Sequence, residues 1–353
     1  MNFDLLKRLC ETPGISGHED RVRDLVMAEL RPLVDHVEAD VMGNVIARRN
    51  GHGPNAPKIM LAAHIDEIGF VVKHVDTRGF LRIHPLGFWD LRAMVAQRVH
   101  VHARDGHTYT GALQPANRPA HTQSPEERSK SAKLRDFYVD LGLSGAQAAA
   151  AIEPGDMVTM ARSTERIGEC VISKALDDRV SVFVMIEALR ACKGALVEII
   201  AVGTAQEEIG ARGAMTAAYA LQPAVGVAID VTLAHDIPGA RPQDYVTQFG
   251  AGAAIKILDA SSISHPGVVR HFRDVAERHS ITHQLEVLDL GGTDAGNMQR
   301  TQAGMPVITL SIPTRYIHTP NEMAHVGDIE ASIALLARYL EDAHNGTYLP
   351  KGA

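Results

Sequence analysis

The sequence has few cysteines, no long apolar run and no excess of positive charge, and each shortage excludes a class of protein. Its three cysteines are an odd number without CxxC or zinc-finger spacing, so neither a disulfide framework nor a structural zinc site is indicated. No stretch approaches the roughly 18 apolar residues that span a bilayer, and the segment MNFDLLKRLCETPGISGHED lacks a signal-peptide core. We therefore expect a soluble, cytoplasmic protein without a membrane partner.

The charge balance points away from nucleic acid as a partner. The net charge is −7, and the Lys and Arg residues are dispersed rather than gathered in a basic stripe. At 353 residues with 45% hydrophobic content, the chain is long enough for two globular domains with sizeable cores. Small molecules are the expected partners.

Helical and strand-like patterns alternate at both ends of the chain, over residues 1–68 and 163–353. Residues 69–162 between them consist of short strand-like runs separated by Gly, Asp and polar turns, which is typical of a small β-rich domain. We predict one α/β domain, with a mostly parallel or mixed sheet and helices on both faces, interrupted by a β-rich insertion. Within the insertion, the polar residues 114–136 are predicted to form an exposed excursion or mobile loop.

Acidic and imidazole side chains follow several strands of the predicted α/β domain. Open α/β sheets bind ligands at the carboxyl ends of their strands, so these side chains are candidates for one site. The strand-end residues are His64, Asp66, Glu67, Glu207, Glu208, Asp230 and His318, and Asp177 and Asp178 precede a helix. Singly, each has a plainer explanation, since acidic pairs also stabilise helix N-termini. Together they form mutually repelling carboxylates at one edge, which a cation stabilises.

The donor types limit which metals suit such a site. Two imidazoles with several carboxylates form a nitrogen and oxygen ligand set that fits Zn²⁺ or Co²⁺, and also Mn²⁺, better than Ca²⁺ or copper. A bridging carboxylate can hold two metals side by side, and one of two adjacent glutamates can act as a base while the other binds metal. Asp66 lies two residues beyond His64 and can accept its second imidazole N–H.

Five segments, in order, resemble a known family: AAHIDEIGF, KALDDR, GTAQEEIGARGA, AIDVTLAHDIPG and GGTDAGNMQRTQAGMPVITLSIPTRYIHTPNEM. They are similar to the cocatalytic metallo-aminopeptidases that assemble as tetrahedral dodecamers, a family also called glutamyl aminopeptidase or cellulase M-like. The resemblance covers most of the chain. It implies a metal-dependent aminopeptidase that removes N-terminal residues from short peptides. It also implies a homo-oligomer in which a PDZ-like inserted domain forms dimers that assemble into a dodecamer.

The resemblance also implies roles for individual residues. His64, Asp177 and Asp230 would bind one divalent metal, and Glu208 and His318 the other, with Asp177 bridging. Glu207 would be the general base, Asp66 would orient His64, and the Asp177–Asp178 peptide would be cis.

Three other interpretations remain open. The same two metals could serve hydrolysis of another amide or of a glycoside, although glycosidases usually work with two carboxylates and no metal. The chain could instead be a non-catalytic assembly protein that retains the fold, although it keeps every ligand and the base. The segment GGTDAGN, which follows a strand and precedes a helix, could hold an anion, but we interpret it as a wall of the substrate pocket.

Overall fold

The computed structural model describes residues 1–53, 56–116, 120–129 and 132–348. In this part of the chain the α-helices are α1 (Phe3–Glu11), α2 (Asp20–Leu30), α3 (Pro125–Ser129), α4 (Gly145–Ala151), α5 (Leu176–Ala191), α6 (Arg212–Leu221), α7 (Pro266–Arg278), α8 (Asp294–Arg300) and α9 (Val326–Asp342). The strands are β1 (His36–Ala39), β2 (Val45–Arg49), β3 (Lys58–His64), β4 (Gly69–Val75), β5 (Leu81–Leu86), β6 (Gln97–His102), β7 (Thr108–Pro115), β8 (Phe137–Asp140), β9 (Met157–Met160), β10 (Glu165–Ile167), β11 (Cys170–Ser173), β12 (Glu198–Thr204), β13 (Val225–Leu233), β14 (Ala253–Leu258), β15 (His283–Val287), β16 (Val307–Arg315) and β17 (Glu322–His325).

The elements form two compact units. The first comprises Met1–Glu67, Thr164–Ile317 and the residues from Asn321 onward. The second comprises Ile68–Ser163 together with His318–Pro320. One unit is therefore built from both ends of the chain, and the other mainly from a continuous internal segment.

The first unit contains an 11-stranded mixed sheet whose central strands β12, β3, β13 and β16 are parallel. Antiparallel strands extend it on both sides, with β2 beside β12 and β14 and β17 beside β16. Parallel central strands are buried on both faces, so their sequences are nearly continuous apolar runs. The sequence KIMLAAH of β3 is an example. This arrangement places the carboxyl ends of four neighbouring strands at one edge of the sheet.

Alternate side chains of the central strands enter two separate cores. In β3, Ile59, Leu61 and Ala63 belong to the larger core, whereas Met60 and Ala62 belong to the smaller one. Residues of α1, α2, α5, α7 and α9 complete the larger core, and residues of α6 and α8 complete the smaller. Helices therefore cover both faces of the sheet.

The second unit is a closed barrel in which the strands follow the order β4-β5-β8-β7-β6-β9. Its neighbouring strands pair antiparallel, and its core is formed by inward-facing residues such as Phe70, Val101 and Val139. Trp89 stacks on Phe70 with ring centroids 4.7 Å apart and donates its indole N–H to the Gly69 carbonyl. Trp89 therefore stabilises the core of the barrel.

The predicted fold class is confirmed, since a mixed sheet covered by helices is accompanied by a separate antiparallel barrel. The described parts of the predicted excursion at 114–136 are more regular than expected, because they include the end of β7 and the short helix α3. Asp230, predicted to end a strand, lies inside β13, which continues to Leu233. No helix in the described ranges is long and apolar enough to cross a membrane.

Candidate metal centre

Strand register brings the predicted residues to one level of the sheet. His64, the last residue of β3, pairs with Thr204 at the end of β12. On the other side of β3, Ala62 pairs with Ala228 of β13, so Asp230 lies two residues further along, level with His64. The turn after β12 carries Glu207 and Glu208. Parallel alignment is therefore the reason that side chains distant in sequence converge.

Four side chains form a first group whose candidate ligand atoms all lie within 4.8 Å of one another: His64, Asp177, Asp178 and Asp230. All four are buried, and His64 Nε2 lies 3.0 Å from Asp177 Oδ1. The peptide between Asp177 and Asp178 is cis, as the resemblance implied, and both residues have non-helical backbone angles at the start of α5. The structure thus brings together three predicted ligands and adds Asp178.

A second group, under the same distance limit, comprises Asp177, Glu208 and His318. Asp177 is common to both groups, which is the position that a bridging carboxylate requires. Glu207 belongs to neither group found among the described residues, although its Oε2 lies 3.9 Å from His64 Nε2. The two adjacent glutamates therefore differ in their surroundings: Glu208 lies among candidate ligands and Glu207 beside them.

Asp66 has more contacts than the sequence indicated. The Nδ1 atom of His64 lies 3.0 Å from the backbone carbonyl of Asp66 and 3.4 Å from its carboxylate, so the carbonyl is the nearer acceptor. The Asp66 carboxylate accepts the backbone N–H groups of Glu207, at 3.0 Å, and Glu208, at 3.2 Å. Asp66 therefore fixes both the imidazole, whose Nε2 remains available for metal, and the turn that carries both glutamates.

Burial and like charge dominate the electrostatics of this site. Burial raises the pKa of Glu207 well above its usual value, and the charges of Asp230, Asp294 and Glu208 raise it further, against the opposing effect of His64. Burial likewise raises the pKa of Asp230, to which the Asp177 charge contributes. Burial alone would lower the pKa of His64, but hydrogen bonds to Asp177 and Asp66 raise it well above normal. Such a cluster favours a bound cation over separate ionised groups.

The donor set fits a divalent metal ion. Oδ1 of Asp178 is buried and has no hydrogen-bond partner in the described structure, although the residue lies in the first group. A buried carboxylate oxygen without a partner is costly unless a cation or proton compensates it. Imidazole nitrogen with carboxylate oxygens is a donor combination typical of Zn²⁺ and similar transition metals.

Comparison with known proteins agrees with this chemistry. The model of the M42 glutamyl aminopeptidase family matches residues 43–335. The chain belongs to this family. It is 37% identical over 335 residues to a putative aminopeptidase of Acetivibrio thermocellus, covering 95% of this chain and 97% of the relative. It is 33% identical over 360 residues to the lysyl aminopeptidase of Pyrococcus furiosus, covering 99% and 100% of the two chains.

A solved peptidase structure has a similar fold over nearly the whole chain. The chain superposes on the TET1 peptidase of Pyrococcus horikoshii with a TM-score of 0.84, at 29% identity, covering 96% of this chain and 98% of the other. That peptidase can assemble into a tetrahedron or a large octahedral shell. This M42 protein is a metal-dependent aminopeptidase. The family match, the aminopeptidase relatives and the cluster of metal-ligating residue types all support this conclusion.

One acidic residue of the M42 site was missed from the sequence. Asp294, the first residue of α8, is buried and accepts a hydrogen bond of 2.5 Å from the Thr204 hydroxyl. Burial raises its pKa from 3.8 to about 6, against the opposing effects of Thr204 and His64. It lies within GGTDAGN, so an acidic residue between a strand and a helix was the available signal, and its burial was not visible in the sequence. Its charge adds to the acidic cluster around Glu207.

The N-terminal segment of the M42 chain also reaches the site, which no sequence pattern indicated. The buried Ser16 hydroxyl donates to Asp66 Oδ2 at 2.5 Å. Next to it, Glu67 accepts the Gly14 N–H at 3.2 Å and pairs with Lys174 at 2.7 Å. The fully buried Arg179 donates to the Gly14 carbonyl, at 3.1 Å. The segment is thus held against the turns that carry Asp66 and Asp178.

The glycine-rich segment lines a cavity beside the glutamates, in agreement with its interpretation as a pocket wall. The cavity has a volume of about 310 Å³. Its lining residues are Glu207, Glu208, Gly210, Ala211, Ser261, Gly292, Thr293, Gly296, Asn297 and Arg300. It offers this M42 aminopeptidase space for part of a small substrate next to the proposed base.

Proposed function

We propose that this aminopeptidase uses two divalent metal ions, one held by His64, Asp177 and Asp230 and the other by Asp177, Glu208 and His318. The observation that carries this proposal is the membership of Asp177 in both candidate groups. When bound, such ions polarise a peptide carbonyl and lower the pKa of water. Zn²⁺ or Co²⁺ suits these donors best, with Mn²⁺ as a third candidate.

Glu207 is the general base in this proposal. Its carboxylate takes a proton from the attacking water and passes it to the departing amine, so the same oxygen acts as base and then as acid. The position of Glu207 supports the assignment, because it lies outside both candidate groups while its Oε2 is 3.9 Å from His64 Nε2. Asp66 is a positioning residue that holds the Glu207–Glu208 turn and His64.

The substrates in this proposal are short peptides with a free N-terminus. The acidic cluster attracts a substrate ammonium group, and Asp230 and Asp294 contribute to that charge. The cavity beside Glu207 accommodates the adjoining part of the substrate.

A panel of aminoacyl p-nitroanilides tests the function directly. The metal-free protein is expected to be inactive, and addition of Zn²⁺, Co²⁺ or Mn²⁺ to separate samples is expected to restore hydrolysis to different extents. Cellulosic substrates in the same samples serve as the control for glycoside hydrolysis. Full activity after metal removal, or hydrolysis of the glycosides alone, would contradict the proposal.

We also infer that the chain works in the cytoplasm as a homo-oligomer, with the second unit contributing to dimers that build a tetrahedral dodecamer. The assembly of the Pyrococcus horikoshii relative supports this inference, as does its 98% coverage by this chain. The three cysteines, all free thiols, suit a reducing compartment. Mass photometry of the purified protein tests the assembly, since a monomer at working concentration would contradict it.

A further inference from the structure

A positive charge lines the cavity beside the proposed base, in a site otherwise dominated by acids. Arg300, the last residue of α8, lines the 310 Å³ cavity together with Glu207 and Glu208. Of the cavity's lining residues in the described chain, Arg300 is the one with a cationic side chain. A cation that lines the same cavity as Glu207 and Glu208 repels substrate ammonium groups and attracts anionic groups.

Arg300 is not paired with an acid. Its Nε donates to the Gly296 carbonyl at 2.9 Å, and its Nη2 donates to Asn297 Oδ1 at 3.1 Å. Both acceptors are neutral, and Arg300 forms no ion pair within the described residues. Two of five N–H donors are used in this way, so the Nη1 side of the guanidinium keeps donors for a ligand.

Arg300 is an exposed residue, and its side-chain partner is itself hydrogen-bonded to another segment. Asn297, its side-chain partner, donates from Nδ2 to the carbonyls of Gly210 and Ala211, each at 2.9 Å. These carbonyls belong to the turn that follows Glu207 and Glu208. Arg300 is therefore connected through one side chain, that of Asn297, to the turn that follows the proposed base and a proposed ligand.

A second cavity shares these residues. It has a volume of about 560 Å³, and its described lining comprises Met215, Thr216, Tyr219, Asn297, Arg300, Thr301 and Gln302. Arg300 and Asn297 line both cavities. The guanidinium is thus accessible from the cavity beside Glu207 and from a larger cavity on the side of α6, where Met215 and Tyr219 are exposed. Substrate groups of different length can therefore contact the Arg300 guanidinium from either cavity.

We propose that Arg300 is a specificity-determining residue that binds a carboxylate of the substrate, an inference that rests on the proposed peptidase function. Arg and carboxylate form paired, charge-assisted hydrogen bonds, which makes an unpaired Arg in a substrate cavity selective for that group. The carboxylate has two sources in a short peptide: the side chain of an N-terminal Glu or Asp, or the free C-terminus. A cationic side chain at the same place is disfavoured by like charge.

Two pairs of substrates distinguish the sources. Glu- and Gln-p-nitroanilide differ in the side-chain carboxylate, whereas Leu-Gly-Gly and its C-terminal amide differ in the terminal one. The ratio of kcat/KM within each pair is measured for the metal-loaded wild type and for Arg300→Gln and Arg300→Lys. A ratio cancels any general loss of activity. Arg273→Gln is the matched control, because Arg273 is a half-exposed arginine of α7 whose ion pair with Glu277 is long, at 3.9 Å.

In at least one pair, the wild-type kcat/KM is expected to be about tenfold or more higher for the substrate with the carboxylate than for its amide. This is the range of a charged hydrogen bond. Arg300→Gln should bring that ratio close to one, Arg300→Lys should keep part of it, and Arg273→Gln should leave it unchanged. Wild-type ratios that Arg300→Gln does not alter would overturn the assignment while leaving the peptidase function intact. No hydrolysis of any substrate would contradict the proposed function, and the assignment with it.

Discussion

The Asp66 carboxylate accepts the backbone N–H of Glu207 at 3.0 Å, which ties the strand end that carries His64 to the turn that carries the proposed base. Glu208 N–H and the Ser16 hydroxyl bind the same carboxylate. One fully buried acid thereby positions an imidazole and two glutamates, in addition to the orienting role that the sequence indicated for it.

Asp66→Asn is expected to lower kcat by about 10–100-fold, the usual cost of losing a group that positions metal ligands. The amide replaces one acceptor oxygen by a donor, so at least one N–H or O–H of the turn loses its partner. Asp328→Asn is the matched control, because buried Asp328 also accepts two backbone N–H groups, from Gly250 and Gly252. Equal effects of the two substitutions on kcat would show that Asp66 has no positioning role.

Ser16→Ala removes the 2.5 Å hydrogen bond to Asp66 and is expected to reduce kcat by about tenfold with little change in KM. Ser332→Ala makes the same chemical change at a buried hydroxyl that donates to the Asp328 carbonyl within α9. Both variants should lose similar thermal stability, whereas only Ser16→Ala should lose turnover. Steady-state kinetics with one p-nitroanilide decides between them.

Asp294 should make the metal-free protein less stable as the pH rises. Its pKa is about 6 in the folded chain against 3.8 for the unfolded group, so the folded state holds the proton more tightly. The contribution of Asp294 to the free energy of unfolding is therefore fully present below about pH 4 and is lost as the pH rises through 6. The loss is at most about 3 kcal/mol.

Asp294→Asn removes this titration. Relative to the metal-free wild type, the variant should gain stability at pH 8 and gain little or nothing at pH 4. Urea unfolding of both proteins at the two pH values measures the difference. A larger gain in stability at pH 4 than at pH 8 would contradict a raised pKa for Asp294.

Much of the fold and of the candidate site follows from local sequence signals. The alternating helical and strand-like patterns over 1–68 and 163–353 predicted a sheet covered by helices, and the structure has one. The convergence of His64 and Asp230 follows from the rule that neighbouring parallel strands share their carboxyl edge. Asp177 joins them from the start of α5, which the rule does not cover. Assignment of the individual roles required the family resemblance.

The remaining features depend on contacts between distant segments. Ser16 and Asp66 are 50 residues apart, and no periodicity marks a loop serine as a partner of a buried acid. Asp294 resembles an ordinary helix-start residue in sequence, and only its burial beside Thr204 makes it part of the acidic cluster. The cation at Arg300 is likewise a common last-turn residue, whose significance comes from the cavity it lines.

The roles of the two adjacent glutamates are tested by comparing Glu207→Gln with Glu208→Gln for metal content and for kcat in the same preparations. Glu207→Gln is expected to keep the wild-type metal content and to lose about 10²–10⁴ in kcat, the contribution of a positioned base. Glu208→Gln should lose metal as well as activity. Near-normal turnover by Glu207→Gln, or loss of metal equal to that of Glu208→Gln, would contradict the assignment of Glu207 as the general base.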